Sequence, residues 1–201
     1  MNDITVIIPY EAGRRLARAY NNAMKKAQTE WVLFLDWDVF NCCPYWFDMC
    51  QYAVAAVHGK RVGWITCVTN AIGAPQQRAP GAPQGHDVAE HMAYAKSLFH
   101  QHSRVDAKGV LQSTEIHRIP GALSGFFILT SKSAWRDSGG FDESRTKLLG
   151  VDNRYSRAVC KAGYTLASMP GLYFYHIYRH KQLIWKAKGS GWYGAREEGQ
   201  K

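Results

Sequence analysis

No C-x-x-C spacing occurs among the five cysteines (Cys42, Cys43, Cys50, Cys67, Cys160), and their number is odd. A thiolate zinc site and a disulfide framework are both disfavoured, so the five read as reduced packing residues. No apolar run approaches the roughly 18 to 20 residues that cross a bilayer. Met1-Asn2-Asp3 leads into a strand-like segment, not a charged-then-apolar leader. The expectation is a cytoplasmic protein with no membrane segment. No internal repeat and no clear domain boundary is visible. Acidic residues are scarce, 16 against 25 Lys and Arg, for a net charge of +9. The balance calls for an acidic partner: nucleotide, phosphorylated substrate, nucleic acid or anionic membrane surface. The bland alternative is a surface charged only for solubility.

What is present is a chain of 201 residues, 46% of them hydrophobic, enough for one sizeable core. Ile4-Thr5-Val6-Ile7-Ile8, stopped by Pro9, predicts a buried strand entering a loop. Leu16, Ala19, Tyr20, Ala23, Met24 and Ala27 recur at helical spacing, predicting a helix over 15–28, and Trp31 to Leu35 predicts a second strand. A β-α-β unit this short implies parallel strands, whose carboxyl ends collect ligands. Further on, helices are predicted at 46–57, from the N-cap Asp87 to about His102, and at 153–162; 133–137 reads as a short helical turn. Strands are predicted at 62–68, 126–129, 165–168 and 172–175. The stretch 71–85, with Pro75, Pro80 and Pro83, reads as a loop.

The chemistry gathers in Trp31-Val32-Leu33-Phe34-Leu35-Asp36-Trp37-Asp38-Val39-Phe40. An apolar run bound for the core ends on two carboxylates one residue apart. Ionised carboxylates near a core must be protonated, paired or given a cation. Alternation along an extended backbone would put both on one side, where they share a divalent ion. The alternative is a pair of solvated turn residues.

Four blocks of this sequence, TVIIPY, ARAYNNAMKKAQTEWVLFLDWDV, SGFFILTSKSAWRDSGGFDE and LLGVDNRYSRAVCKAGY followed by YFYHIYRH, run in the order found in family 2 glycosyltransferases. The chain resembles that family, especially its compact phage and environmental members. The resemblance implies a three-layer α/β/α GT-A fold with a mostly parallel sheet, in one domain over 1–180 with a shortened N-terminal half. The family's usual extra strand, with the acidic turn that grips the base, is missing after Tyr10. The base is therefore open, with a UDP-sugar as the default donor.

The resemblance also implies roles. Asp38 would bind Mn²⁺ or Mg²⁺ bridging the donor diphosphate, with Asp36 near ribose or metal; hard oxygen ligands suit either ion. His176, with His180 as second choice, would supply a third ligand, though a histidine in an aromatic segment is also a common core residue. Asp152 would be the catalytic base, standing where the family has an acidic pair whose first member is here Val151; a helix cap is its alternative. Pro9, Tyr10 and Glu11 would line the nucleotide pocket, and Asn21 matches the family's ARN asparagine. At Gly125 a side chain would crowd the donor sugar, or the glycine serves only strand packing.

The tail 181–201 is basic, aromatic and glycine-rich. It reads as a lid offering Lys186 or Lys188 to the diphosphate, a nucleic-acid contact, or a solvated terminus. Together these imply a metal-dependent, inverting transfer of a sugar to an acceptor hydroxyl. The expected acceptor is a hydroxymethylated pyrimidine in DNA, in the host cytoplasm if phage-encoded, reached through Gln76-Gln77-Arg78 and the 104–118 region. Glycan, lipid or protein acceptors are the alternatives, as is a silent nucleotide-sugar or nucleic-acid-binding module.

Overall fold

A computed structural model describes residues 3–13, 15–144 and 149–177. Tail positions Lys186 and Lys188, the lid they would form, and His180 lie outside the described residues.

Strand β1 (Ile4–Ile7) leads through helix α1 (Leu16–Lys26) to β2 (Trp31–Leu35), and the two strands pair in parallel, Ile4 opposite Trp31. Next come β3 (Val39–Asn41), α2 (Trp46–Ala56) and β4 (Val62–Thr69). The proline-rich loop holds one 3₁₀ turn, Pro75–Gln77, before α3 (Val88–His102), whose N-cap Asp87 accepts the Ala89 N–H at 2.8 Å. Short strands β5 (Ser103–Val105), β6 (Leu111–Thr114) and β7 (His117–Ile119) follow. The chain continues with β8 (Phe127–Ser131), α4 (Lys132–Asp137), α5 (Val151–Lys161) and β9 (Thr165–His176).

The main sheet runs β1-β2-β8-β4-β9-β3, with β7 also on β9. Four of these seven strands, β1, β2, β4 and β9, share one direction, and β8, β3 and β7 oppose them. Alternation sorts the side chains into two faces. Leu33, Phe127, Leu129 and Ile65 pack toward α2 and Phe99 of α3. Val32, Phe34, Ile128 and Trp64 pack toward α1 and α5. Helices therefore cover both faces of the sheet, which is the expected three-layer arrangement. On the second face Tyr20, Phe141 and Tyr155 stack with ring centroids 4.5 and 3.9 Å apart, tying α1 to α5 through the turn at Gly139-Gly140.

Two sequence expectations change. The predicted strands 165–168 and 172–175 are one strand, β9, whose parallel register on β4 slips between Met169 and Tyr173. Pro170 and Gly171 occupy the resulting bulge, the place in a sheet where a missing N–H is tolerated. A Cβ on Gly171 would lie 2.9 Å from the His102 Cβ. Strands β3, β5, β6 and β7 were not foreseen either: three or four residues are too few to carry a period, and pairing decides their state.

Candidate active site

Strand β2 delivers Asp36 to the carboxyl end of the sheet, where its backbone N–H donates to Phe126 O at 3.1 Å. Extended alternation does not continue through Asp38. The chain turns at Trp37 and Asp38 and returns as β3, fixed by the Ile177 N–H donating to Asp38 O at 3.0 Å. This reversal brings the two carboxylates together and leaves Trp37 exposed between them.

The register Val39 opposite His176 sets the last residue of β9 beside them. His176 is buried, with Nε2 3.3 Å from Asp38 Oδ1. Its Nδ1 lies 3.1 Å from Ala71 O, which can only accept, so that nitrogen carries the proton and Nε2 faces the carboxylates. The backbone N–H of His176 donates to Asn70 Oδ1 at 2.9 Å, and its ring stacks on Phe126. Ligand atoms of Asp36, Asp38 and His176 all lie within 4.8 Å of one another. Two carboxylates and an imidazole nitrogen suit Mn²⁺ or Mg²⁺.

The electrostatics agree with that donor set. Burial, then the negative charge of Asp38, pushes the Asp36 carboxyl up to about 7; His176 opposes the rise and Asp152 adds to it. A cation between the carboxylates would offset both the burial and the repulsion that keep the proton on Asp36.

Asp152 is the second residue of α5. Its Oδ2 accepts the Gly125 N–H at 2.7 Å and its Oδ1 the Asn153 N–H at 2.9 Å. It therefore braces the helix start and still projects its field onto Asp36. Burial raises its carboxyl, and these two N–H donors pull the other way. Gly125 is needed by Asp152 itself, because a Cβ there would lie 2.9 Å from the Asp152 Cβ. The missing first acid has a packing reason: Val151 is fully buried in the core beneath α5.

Other predicted positions stand apart. The side chain of Asn21 is saturated: Nδ2 donates to Phe141 O and Glu143 Oε1, and Oδ1 accepts from Trp135 Nε1 and the Phe141 N–H, all within 2.9 Å. It ties α1 to the 139–143 turn and keeps no free group for a nucleotide. Glu11 folds back on α1, accepting from the backbone and side chain of Arg15 at 2.9 Å. Pro9 is half-buried and Tyr10 is 74% exposed. Gln77, expected on an acceptor face, is fully buried.

A cavity of ≈ 580 Å³ opens at the starts of β4 and β9, lined by Lys60, Arg61, Arg118 and Thr165 among others. It holds no carboxylate and sits at the opposite ends of the strands from Asp38 and His176. Among the described residues, the grouped carboxylates and imidazole lie at the carboxyl rim instead.

Sequence reasoning missed Asn70 and Ala71, which orient His176, and Asn153, which with Gln77, expected instead on an acceptor face, holds the backbone beside Asp152. They lie in loops or at a helix start with no pattern to mark them.

No protein-family model and no curated protein matches the chain. Solved structures do. GalNAc-T7 with UDP, GalNAc and Mn²⁺ aligns with a TM-score of 0.50 at 16% identity, over 85% of this chain and 32% of its own. A mannosyltransferase from Pyrobaculum calidifontis, in complex with GDP-Man and Mn²⁺, aligns at 0.49 and 16% identity, over 85% of this chain and 39% of its own. TarS from S. aureus aligns at 0.45 and 17%, over 80% of this chain and 39% of its own. This chain thus spans between 32% and 39% of the length of these structures. Among the described residues no helix is long and apolar enough to cross a membrane. The layered mixed sheet, with its carboxylates gathered at one rim, has the GT-A fold of glycosyltransferases.

Proposed function

We propose that this chain is a metal-dependent glycosyltransferase that moves a sugar from a nucleotide-sugar donor to an acceptor hydroxyl. The observation that carries the reading is the convergence of Asp36, Asp38 and His176 at the carboxyl rim, with the charge of Asp152 acting on the same spot. Asp36, Asp38 and His176 would hold Mn²⁺ or Mg²⁺, which when bound supplies positive charge against a departing diphosphate. Asp152 takes the acceptor's hydroxyl proton as that oxygen bonds to the anomeric carbon. The bond from that carbon to the diphosphate breaks, and its electron pair leaves with the nucleotide. Attack from the face opposite the leaving group inverts the anomeric centre. Pro9 and the exposed Tyr10 are the described residues at the end of β1 available to a base, and UDP is the default nucleotide.

For the acceptor, the charge of +9 favours a polyanion, and a hydroxymethylated pyrimidine in DNA is the reading to test. Arg78, Arg104 and Lys108 are exposed cations of the proposed acceptor face, while Gln77 is withdrawn from it and Arg118 lines the cavity at the opposite strand ends. The experiment is mass spectrometry of hydroxymethylated and unmodified DNA incubated with Mn²⁺ and a panel of nucleotide sugars. A sugar mass gained only by the modified DNA, and lost with chelator, supports the reading. Gain on glycan, lipid or protein instead replaces the acceptor, and tight donor binding with no turnover makes the chain a binding module.

A further inference from the structure

The segment from Pro120 to Gly125 runs beside the rim with no strand partner of its own. Buried backbone groups must find partners somewhere, and here side chains from two directions supply them. Gln76 Nε2 donates to Pro120 O at 3.1 Å and to Ala122 O at 2.9 Å. From α5, Ser156 Oγ accepts the Leu123 N–H at 3.2 Å and Asn153 Nδ2 donates to Leu123 O at 2.7 Å. Gln77 does most. Its Oε1 accepts the Ser124 N–H at 2.7 Å, its Nε2 donates to Ser124 O at 3.0 Å, and the same Nε2 donates to Thr66 Oγ1 of β4 at 2.9 Å. One buried amide thus grips both polar groups of Ser124, as a neighbouring strand would, and anchors them to the sheet.

The next N–H along the chain is that of Gly125, which donates to Asp152 Oδ2 at 2.7 Å. The same loop carries Asn70 and Ala71, which hold His176. We propose that Gln77 is a positioning residue for the Asp152 carboxylate, acting through the peptide between Ser124 and Gly125. The proposal rests on the reading of Asp152 as the base, and it assigns to the proline-rich loop the task of keeping that base in line with the metal ligands.

A Gln77→Leu variant of the full chain leaves the Ser124 N–H and C=O without partners, so Ser124 turns and the Gly125 N–H leaves the Asp152 oxygen. The test reads the Gly125 amide by ¹H–¹⁵N NMR in glycine-labelled protein across pH. In the unaltered protein this resonance should titrate with the Asp152 carboxyl, and Asp152→Asn should remove that step. In Gln77→Leu the step is expected to shrink and to move to higher pH, because a carboxylate that loses an N–H donor holds its proton more tightly. The amide of Gly63, packed against Val159 and Tyr164, should stay in place, separating a local effect from general loosening. With a donor found active in the panel above, kcat should fall about 10²-fold with donor KM unchanged, the scale of a reacting group displaced by ~1 Å.

Should Gln77→Leu fold poorly, Gln77→Glu keeps the size. It regains the donor to Ser124 O only while protonated, so its Gly125 signal gains a second pH step that the unaltered protein lacks. A Gly125 titration in Gln77→Leu identical to the parent, or no second step in Gln77→Glu, overturns the proposal. Failure of the underlying reading looks different: Asp152→Asn would transfer sugar at the parent rate while the Gly125 signal still depended on Gln77.

Discussion

Replacing Gly125 with alanine puts the link between the sheet rim and Asp152 under direct load. The new methyl would lie 2.9 Å from the Asp152 Cβ and 3.4 Å from its Oδ2. Carbon atoms settle at roughly 3.5 to 4.0 Å, so one partner must retreat by at least ~0.6 Å. The β8 side is held by the Asp36 N–H on Phe126 O and cannot move freely. Asp152 is therefore the group that shifts, and its 2.7 Å hydrogen bond to the Gly125 N–H is broken. Overpacking costs about 1–3 kcal/mol, and a hydrogen bond to a charged group contributes about 1.5–3 kcal/mol. The sum is roughly 2.5–6 kcal/mol, or about 5–24 °C in Tm for a chain of this size. Thermal unfolding followed by circular dichroism reads it, with Gly85→Ala as control. A Cβ at Gly85 meets only Glu90 Oε2 at 3.9 Å, so that change should be neutral or slightly stabilising, by at most ~1 kcal/mol. A Gly125→Ala protein as stable as its parent, with full transferase activity, would refute the reasoning.

Proton and metal should compete at the rim. With Asp36 raised to about 7, the native state between pH 4 and 7 keeps a proton that the unfolded chain has released, so metal-free stability falls as pH rises through that window, by up to ~4 kcal/mol. The stabilisation by added Mn²⁺ should accordingly grow from pH 5 to pH 8 in a thermal-shift series, and a flat response would count against a shared site. Asp38→Asn should remove that Mn²⁺ response, which for the parent at a hundredfold excess over Kd amounts to about 2.7 kcal/mol. Calorimetric titration with Mn²⁺ checks this, and His176→Ala should weaken binding in the same assay. Asp87→Ala should cost about 1 kcal/mol by uncapping α3, read as a shift in denaturation midpoint with no change in metal binding.

The main elements were legible because their periods are strong. The run WVLFL is buried on both faces and needs no tertiary information to read as a central strand. Asp87 announces α3 by its own chemistry. Asp36 and Asp38 were found for a sound reason, the cost of carboxylates next to a core, but the geometry that joins them is a turn into β3, not an extended strand. That turn depends on β9, far away in sequence, and nothing local encodes it. Asn21 shows the opposite failure. A motif match suggested a ligand contact, while three of its four hydrogen bonds go to a turn at residues 141–143 that no helical pattern reveals, and the fourth comes from Trp135. Gln77 was misjudged because composition marks a proline-rich loop as surface, yet a loop's one buried amide can matter more than its exposed length.

The slip in β9 counts residues for the rim. Opposite a single step on β4, from Cys67 to Val68, β9 advances from Met169 to Tyr173. Three extra residues are an odd number, so the parity of inward and outward side chains inverts across Pro170 and Gly171. His176 inherits its orientation from that inversion. Removing or adding one residue there, if taken up as a one-residue slip of the downstream register on β4 and β3, would turn the imidazole to the other side of the sheet, so the length of the bulge decides whether position 176 can reach the rim.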